Sequence, residues 1–192
     1  MIFFIADLHL GHLNKHGGII AFCKRPFTSI PEMDTEIIKR WNETIGPEDV
    51  VYVLGDFAYR NKIPIKVYAQ QLNGHKHLIR GNHDKHSDQT YLDAGFESVQ
   101  EVLYLTYENQ EIVLFHYPIL SWKHRGKGAW HLYGHMHERI EELMEKRKAY
   151  NVGVDTNGFR PISFEQLKPI MILRDAKTQE NSIRSDTTQT ST

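Results

Sequence analysis

The chain carries a series of short apolar runs, each of strand length and each closing on polar or turn-forming residues. Runs of this kind, rich in β-branched and aromatic residues, read as buried strands. They predict strands near residues 2–6, 50–54, 76–80, 99–107, 111–115, 130–134 and 150–154. Apolar positions at helical spacing around Trp41 predict a helix near 33–45, with others near 61–72 and 138–148. The segment from Tyr107 to Glu111 joins two apolar runs as a hairpin connection. From about Arg174 the sequence turns polar and rich in Ser, Thr and Gln, a composition with too little apolar surface to fold. One domain over residues 1–173 and a disordered tail over 174–192 are therefore expected. Strands alternating with helices, together with one antiparallel hairpin, indicate a mixed α/β class.

Five of the apolar runs lead into metal-type ligands: MIFFIADLH, VVYVLGD, HLIRGNHD, EIVLFH and WHLYGHMH. They deliver Asp7, His9, Asp56, Asn82, His83, Asp84, His116, His135 and His137. One Asp or His after a strand is commonplace, because loop ends are polar. Five such blocks across most of the chain point to a single convergent site at the carboxyl edge of a sheet. Carboxylate, imidazole and amide donors without thiolate suit Mn, Fe, Zn, Co or Ni. A closed structural zinc site would use cysteines or a finger-like spacing, and the sole cysteine is Cys23. A calcium or magnesium site would have little use for imidazoles. Asp7, His9, Asp56, Asn82, His116, His135 and His137 exceed the roughly four to six donors one first-row ion takes, so two ions sharing a carboxylate fit better. Asp56 is the natural bridge. Gly55, Gly81 and Gly134 each precede a ligand, where a missing side chain permits a tight bend or a close approach.

In order and spacing these blocks resemble the calcineurin-like metallophosphoesterases, whose pattern is D-x-H, G-D, G-N-H-D, H and G-H-x-H. Asp7-Leu8-His9, Gly55-Asp56, Gly81-Asn82-His83-Asp84, His116 and Gly134-His135-Met136-His137 supply every block, over roughly residues 1 to 158. The resemblance implies a four-layer α/β/β/α sandwich of two mixed sheets. It implies one divalent ion on Asp7, His9, Asp56 and His137, and a second on Asp56, Asn82, His116 and His135. Manganese is the favoured ion, with Fe, Zn, Ni or Co as alternatives. Two such ions, two aspartates and a bridging hydroxide leave a charge of about +1, which attracts a phosphate ester. The expected reaction is direct attack of a metal-bound hydroxide on phosphorus, without a covalent enzyme intermediate. His83 is the expected general acid, because imidazole titrates close to neutral pH, with Asp84 orienting it.

Other residues carry weaker expectations. His12 follows the first block in a polar loop and is a candidate contact to the substrate phosphate. Arg25, within Cys23-Lys24-Arg25-Pro26-Phe27, is a second such candidate, because guanidinium suits bidentate phosphate recognition. Trp122 and His124 read either as a wall of the substrate pocket or as core. Arg80, His75, His77, His86 and His131 read as structural or exposed. Asn151-Val152-Gly153-Val154-Asp155 reads as a buried strand closing in a turn at Asp155-Thr156-Asn157-Gly158. Tyr117-Pro118 follows His116 where many relatives carry glycine, so substrates of glycine-bearing subfamilies do not carry over.

A length of 192 residues with 40% hydrophobic composition suits one globular domain. A net charge of −1 argues against broad, non-specific nucleic-acid binding. The sequence contains no run long enough to cross a bilayer as a helix, and with the first strand beginning almost at Met1 no signal peptide is expected. A cytoplasmic location is expected. The expected partner is a small phosphomonoester or phosphodiester, with a nucleotide as one candidate. The alternatives are a DNA or RNA nuclease of the same superfamily, or a metal-binding scaffold whose catalysis has lapsed, and the retained His83 favours the enzyme.

Overall fold

The computed structural model describes residues 1–13, 16–60, 62–137, 144 and 147–174. Nine strands form two sheets among these residues. In the first, β1 (Ile2–Ile5), β2 (Val50–Val53), β3 (His75–Ile79) and β4 (Phe96–Gln100) run parallel, and β9 (Ile162–Ser163) pairs antiparallel with β1. In the second, β5 (Val102–Tyr107) and β6 (Gln110–Phe115) are antiparallel, while β7 (Trp130–Tyr133) and β8 (Ala149–Asn151) continue parallel to β6. Both sheets are mixed, as the resemblance implies.

Side-chain alternation along the strands divides the apolar residues between layers. Phe3, Ile5, Val51, Val53 and Leu78 face the helices, packing with Met33, Ile37, Trp41 and Tyr68. Phe4, Leu54 and Ile79 face the other sheet and meet Ile112, Leu114 and Leu132. A third cluster, containing Val113, Tyr133, Trp122 and Met144, covers the far face of the second sheet.

The helical layer is built from α1 (Gly18–Cys23), α2 (Ile30–Thr44), α3 (Ile65–Ala69) and α4 (Asp88–Asp93). Helix α2 begins where Ser29 accepts a hydrogen bond from the Glu32 amide and Pro31 occupies the first turn. Its buried stripe is Ile30, Met33, Ile37 and Trp41, spaced three and four apart. The Trp41 indole N–H donates to the Asn73 carbonyl at 3.0 Å.

Several elements differ from expectation. The apolar stretch 99–107 is two strands, β4 and β5, lying in different sheets and separated by an exposed bend at Glu101. Alternation alone does not mark where a chain changes sheet. The helix expected over 61–72 contracts to α3, since Pro64 caps its start. Helices α1 and α4 were not expected; at six residues each they are too short for a periodic signal. Residues 164–174 are helical and place Phe164, Leu167 and Met171 against the inter-sheet core. The helix expected over 138–148 lies outside the described residues apart from 144, 147 and 148, as does the tail beyond 174.

Candidate metal centre

The loops that leave β1 and β2 run side by side, with the Asp7 amide donating to the Gly55 carbonyl and the His9 amide to that of Asp56. The loops after β6 and β7 are joined in the same way, the Gly134 amide donating to the His116 carbonyl. Five of the seven expected ligands adopt the left-handed backbone region: Asp7 (φ 59°), His9 (52°), Asp56 (54°), His135 (70°) and His137 (50°). A non-glycine residue held there costs on the order of 1–3 kcal/mol, and such strain concentrates at functional sites. Here it turns strand-end side chains toward a common point.

Two glycines are required by the crowding that results. A Cβ on Gly55, itself at φ 86°, would stand 2.4 Å from His116 Nδ1. A Cβ on Gly81 would stand 2.2 Å from Asp56 Oδ1.

All seven expected ligands are brought together. Asp56 Oδ2 lies 3.4 Å from His9 Nε2 and 3.7 Å from His116 Nε2. The Asn82 side-chain oxygen is 3.1 Å from His116 Nε2. Donor atoms of Asp7, His9 and His137 lie within 4.8 Å of one another, as do those of Asp7, Asp56 and His116. The His135 amide donates to both Asp7 oxygens, and its ring stands 5.1 Å from that of His116.

The donor set fits a divalent cation. His9 Nε2 is buried and has no hydrogen-bond partner, which is costly for a polar atom unless something else satisfies it. Burial and the neighbouring Asp56 raise the Asp7 carboxyl to about 7, against the opposing pull of His137. Burial also raises Asp56, against a backbone hydrogen bond from His83. A cation among these carboxylates removes the penalty on both.

A family model described as the calcineurin-like phosphoesterase superfamily domain matches residues 1–159. The chain belongs to that superfamily. Its members are metal-dependent phosphoesterases. An uncharacterized protein of Methanocaldococcus jannaschii is 33% identical over 170 residues, covering 85% of this chain and 87% of its own. The Gene 66 protein of Mycobacterium phage D29 is 26% identical over 181 residues, covering 80% and 87% respectively. The solved structure of a protein of unknown function from Aquifex aeolicus shares the fold, with a TM-score of 0.70 at 24% identity, over 88% of this chain and 98% of that one.

In this superfamily member, three residues do something other than expected. Arg25 was expected at the substrate phosphate, but it is buried and all five of its N–H donors are engaged. Nε and one Nη donate to the Asp155 carboxylate at 2.7 and 2.9 Å, and the rest meet the carbonyls of Asp7 and Leu8 and the Met33 sulfur. No donor is left for a phosphate. His12, the other expected phosphate contact, is also buried, with Nδ1 3.1 Å from His9 Nδ1. Burial, with His83 and Arg25 nearby, lowers its pKa to about 4, so it is neutral at pH 7 and orients the His9 ring. Asp84 was expected to orient His83. Its carboxylate instead accepts from the amides of Asp56, Gly81 and Phe57 and from the Tyr91 hydroxyl, at 2.8 to 3.2 Å. It ties the Asp56 loop to the 81–84 loop, and Tyr59 packs on the His83 ring at 4.0 Å between centroids.

Two of the expected histidine ligands are held through their second nitrogens, as metal-binding histidines usually are. His116 Nδ1 is 2.8 Å from the Leu54 carbonyl, and His137 Nδ1 is 2.8 Å from Asp155 Oδ2. Asp155 was read as a turn residue, and it does stand in a 3-10 turn, Val154–Thr156. Its burial and its part in the site had no local sequence signal beyond proximity to the last motif. Arg80 is structural, as expected, donating to the carbonyls of Asp84 and His86 at 2.6 and 2.8 Å. Trp122 belongs to the outer cluster, donating to the Ala129 carbonyl, and His124 pairs with Glu111. Neither lines the cavity at the centre. That cavity, of about 390 Å³, is bounded by Asp56, Asn82, His83, His135 and His137, and also by Phe22, Cys23, Lys24 and Met136.

Proposed function

We propose that the protein hydrolyses phosphate esters, monoesters or diesters, at a centre that takes two divalent ions, manganese favoured. The observation that carries this reading is that Asp56 Oδ2 stands 3.4 Å from His9 Nε2 and 3.7 Å from His116 Nε2, close enough to serve both donor sets. Asp7, His9 and His137 would hold one ion with Asp56; Asn82, His116 and His135 would hold the other. When bound, paired divalent ions acidify water and offset the charge of a phosphate in an in-line displacement.

The chain's own groups supply the rest. His83 Nε2 lies 4.0 Å from Asp56 Oδ2, and its half-buried ring lines the cavity, a placement suited to protonating a leaving oxygen. Tyr59 against one side of that ring fixes its direction. Asp84 holds the Asp56 and Asn82 loops at a fixed separation. The product leaves through the open side of the cavity, and no covalent adduct with the chain is required. A cytoplasmic location belongs to the same proposal and is compatible with the single free thiol, Cys23.

Protein loaded with manganese is expected to hydrolyse aryl phosphomonoesters or phosphodiesters. His83→Ala should keep its metal but lose about 10²–10⁴-fold in turnover on poor leaving groups. Asp56→Asn with unchanged metal content and rate would overturn the shared-carboxylate reading. Metal-loaded protein that turns over neither ester class would instead point to a binding scaffold.

A further inference from the structure

The cavity is lined by two unlike kinds of residue. Asp56, Asn82, His135 and His137 belong to the expected ligand set, whereas Phe22, Cys23, Lys24 and Met136 lie outside it. Phe22 ends helix α1 together with Cys23 and is 67% exposed, while Ile19 and Cys23 of the same helix are buried. Its ring meets the His137 ring edge-on, with centroids 6.0 Å apart at 75°. Exposed apolar residues scattered singly over a surface are ordinary. This one stands on the wall of the cavity that contains the expected metal ligands, a cavity also lined by Met136, whose thioether adapts readily to aromatic surfaces. The other aromatic rings at the centre are used differently: Tyr59 packs on His83 and Tyr117 on His135, and both are partly buried.

The geometry points to Phe22 as a stacking platform for a flat ring carried by the substrate, which makes the substrate class aromatic phosphate esters such as nucleosidyl or aryl esters. With phosphorus at the metal ligands, the alcohol portion of the ester extends along the Phe22 wall. Lys24 brings a cation to the same rim, suited to a second anionic or polar group of the substrate. The inference rests on the phosphoesterase reading of this cavity, and it adds the residue that selects the leaving group.

The test uses phosphonates, whose C–P bond is not hydrolysed, so binding is read apart from turnover. Phenylphosphonate, cyclohexylphosphonate and methylphosphonate are titrated into the manganese-loaded protein by calorimetry. Base-aromatic stacking energies lead us to expect phenylphosphonate to bind about ten-fold more tightly than methylphosphonate, with cyclohexylphosphonate between them. Phe22→Ala should remove most of that advantage and Phe22→Tyr should retain it. An equal phenyl-to-methyl ratio in the parent and Phe22→Ala proteins overturns the stacking role and leaves the phosphoesterase reading standing. Failure of methylphosphonate itself to bind overturns both.

Discussion

His116 and His137 bring the same imidazole to the same cluster, yet the second nitrogen of each is held by a different kind of group. For His116 it is the Leu54 carbonyl, at 2.8 Å; for His137 it is the Asp155 carboxylate, also at 2.8 Å. A carbonyl fixes the tautomer without adding charge, and burial leaves the His116 ring below its ordinary pKa. Burial also acts downward on His137, but the hydrogen bond to Asp155 prevails, with Cys23 and Asp7 assisting, and its pKa rises to about 10. The carboxylate makes His137 a more basic donor and brings a second requirement, because a buried Asp155 needs a cation of its own. Arg25 is that cation. His137 therefore depends on a chain of side chains from Arg25 through Asp155, whereas His116 depends on a backbone carbonyl that no side-chain substitution removes.

The largest effect is expected from cutting the first link of that chain. Arg25→Met leaves a buried carboxylate without its guanidinium and should cost about 3–5 kcal/mol in urea unfolding. An unchanged unfolding midpoint would make the Arg25–Asp155 pair incidental.

His131 offers the carbonyl kind of support with no metal nearby to complicate it. Its two nitrogens stand 3.1 and 3.2 Å from the Val113 and Tyr117 carbonyls, and burial lowers its pKa to about 4. The folded value lies below the unfolded one of about 6.5, so the unfolded chain binds the extra proton. The resulting stability is complete above pH 6.5 and is lost as the pH falls toward 4, on the order of 3 kcal/mol in all. Urea unfolding at pH 7 and pH 4 should show His131→Gln with a flatter dependence than its parent. Equal slopes would remove His131 from the account.

Asp155→Asn keeps an oxygen for His137 Nδ1 and removes the charge, so it isolates what the carboxylate adds. Metal affinity should fall about 10–100-fold in a manganese titration. Affinity equal to the parent's would reduce the two histidines to equivalents. Smallest is Ser29→Ala, which removes the cap of α2, far from both supports. It should cost about 1 kcal/mol of stability and leave manganese affinity unaltered, separating general destabilisation from damage to the centre.

The candidate ligands were legible because each follows an apolar run and because metal chemistry restricts residue type. Asp7, His9, Asp56, Asn82, His116, His135 and His137 could be named from pattern and spacing alone, and the structure gathers them at one place. The strands beneath them were legible for the same reason, as alternation and length suffice for β1, β2, β3, β6 and β7. The division of residues 99–107 between two sheets was not, since its mark is only the polar pair Gln100-Glu101, with no glycine or proline to signal a turn. The supports were least legible. Arg25 and His12 carry the residue types of phosphate contacts, and only their burial and filled hydrogen bonds reveal them as braces.

The sequence by itself determined which side chains can bind metal, the strands that carry them and the superfamily to which the chain belongs, because these properties reside in residue type and local period. Tertiary structure alone decided that Asp155 and Arg25, 130 positions apart, meet beneath His137, that Asp84 clasps backbone amides, and that Phe22 stands on the cavity wall. Those facts concern distances through space between segments remote along the chain. Packing sets such distances, and no local pattern of residues encodes them.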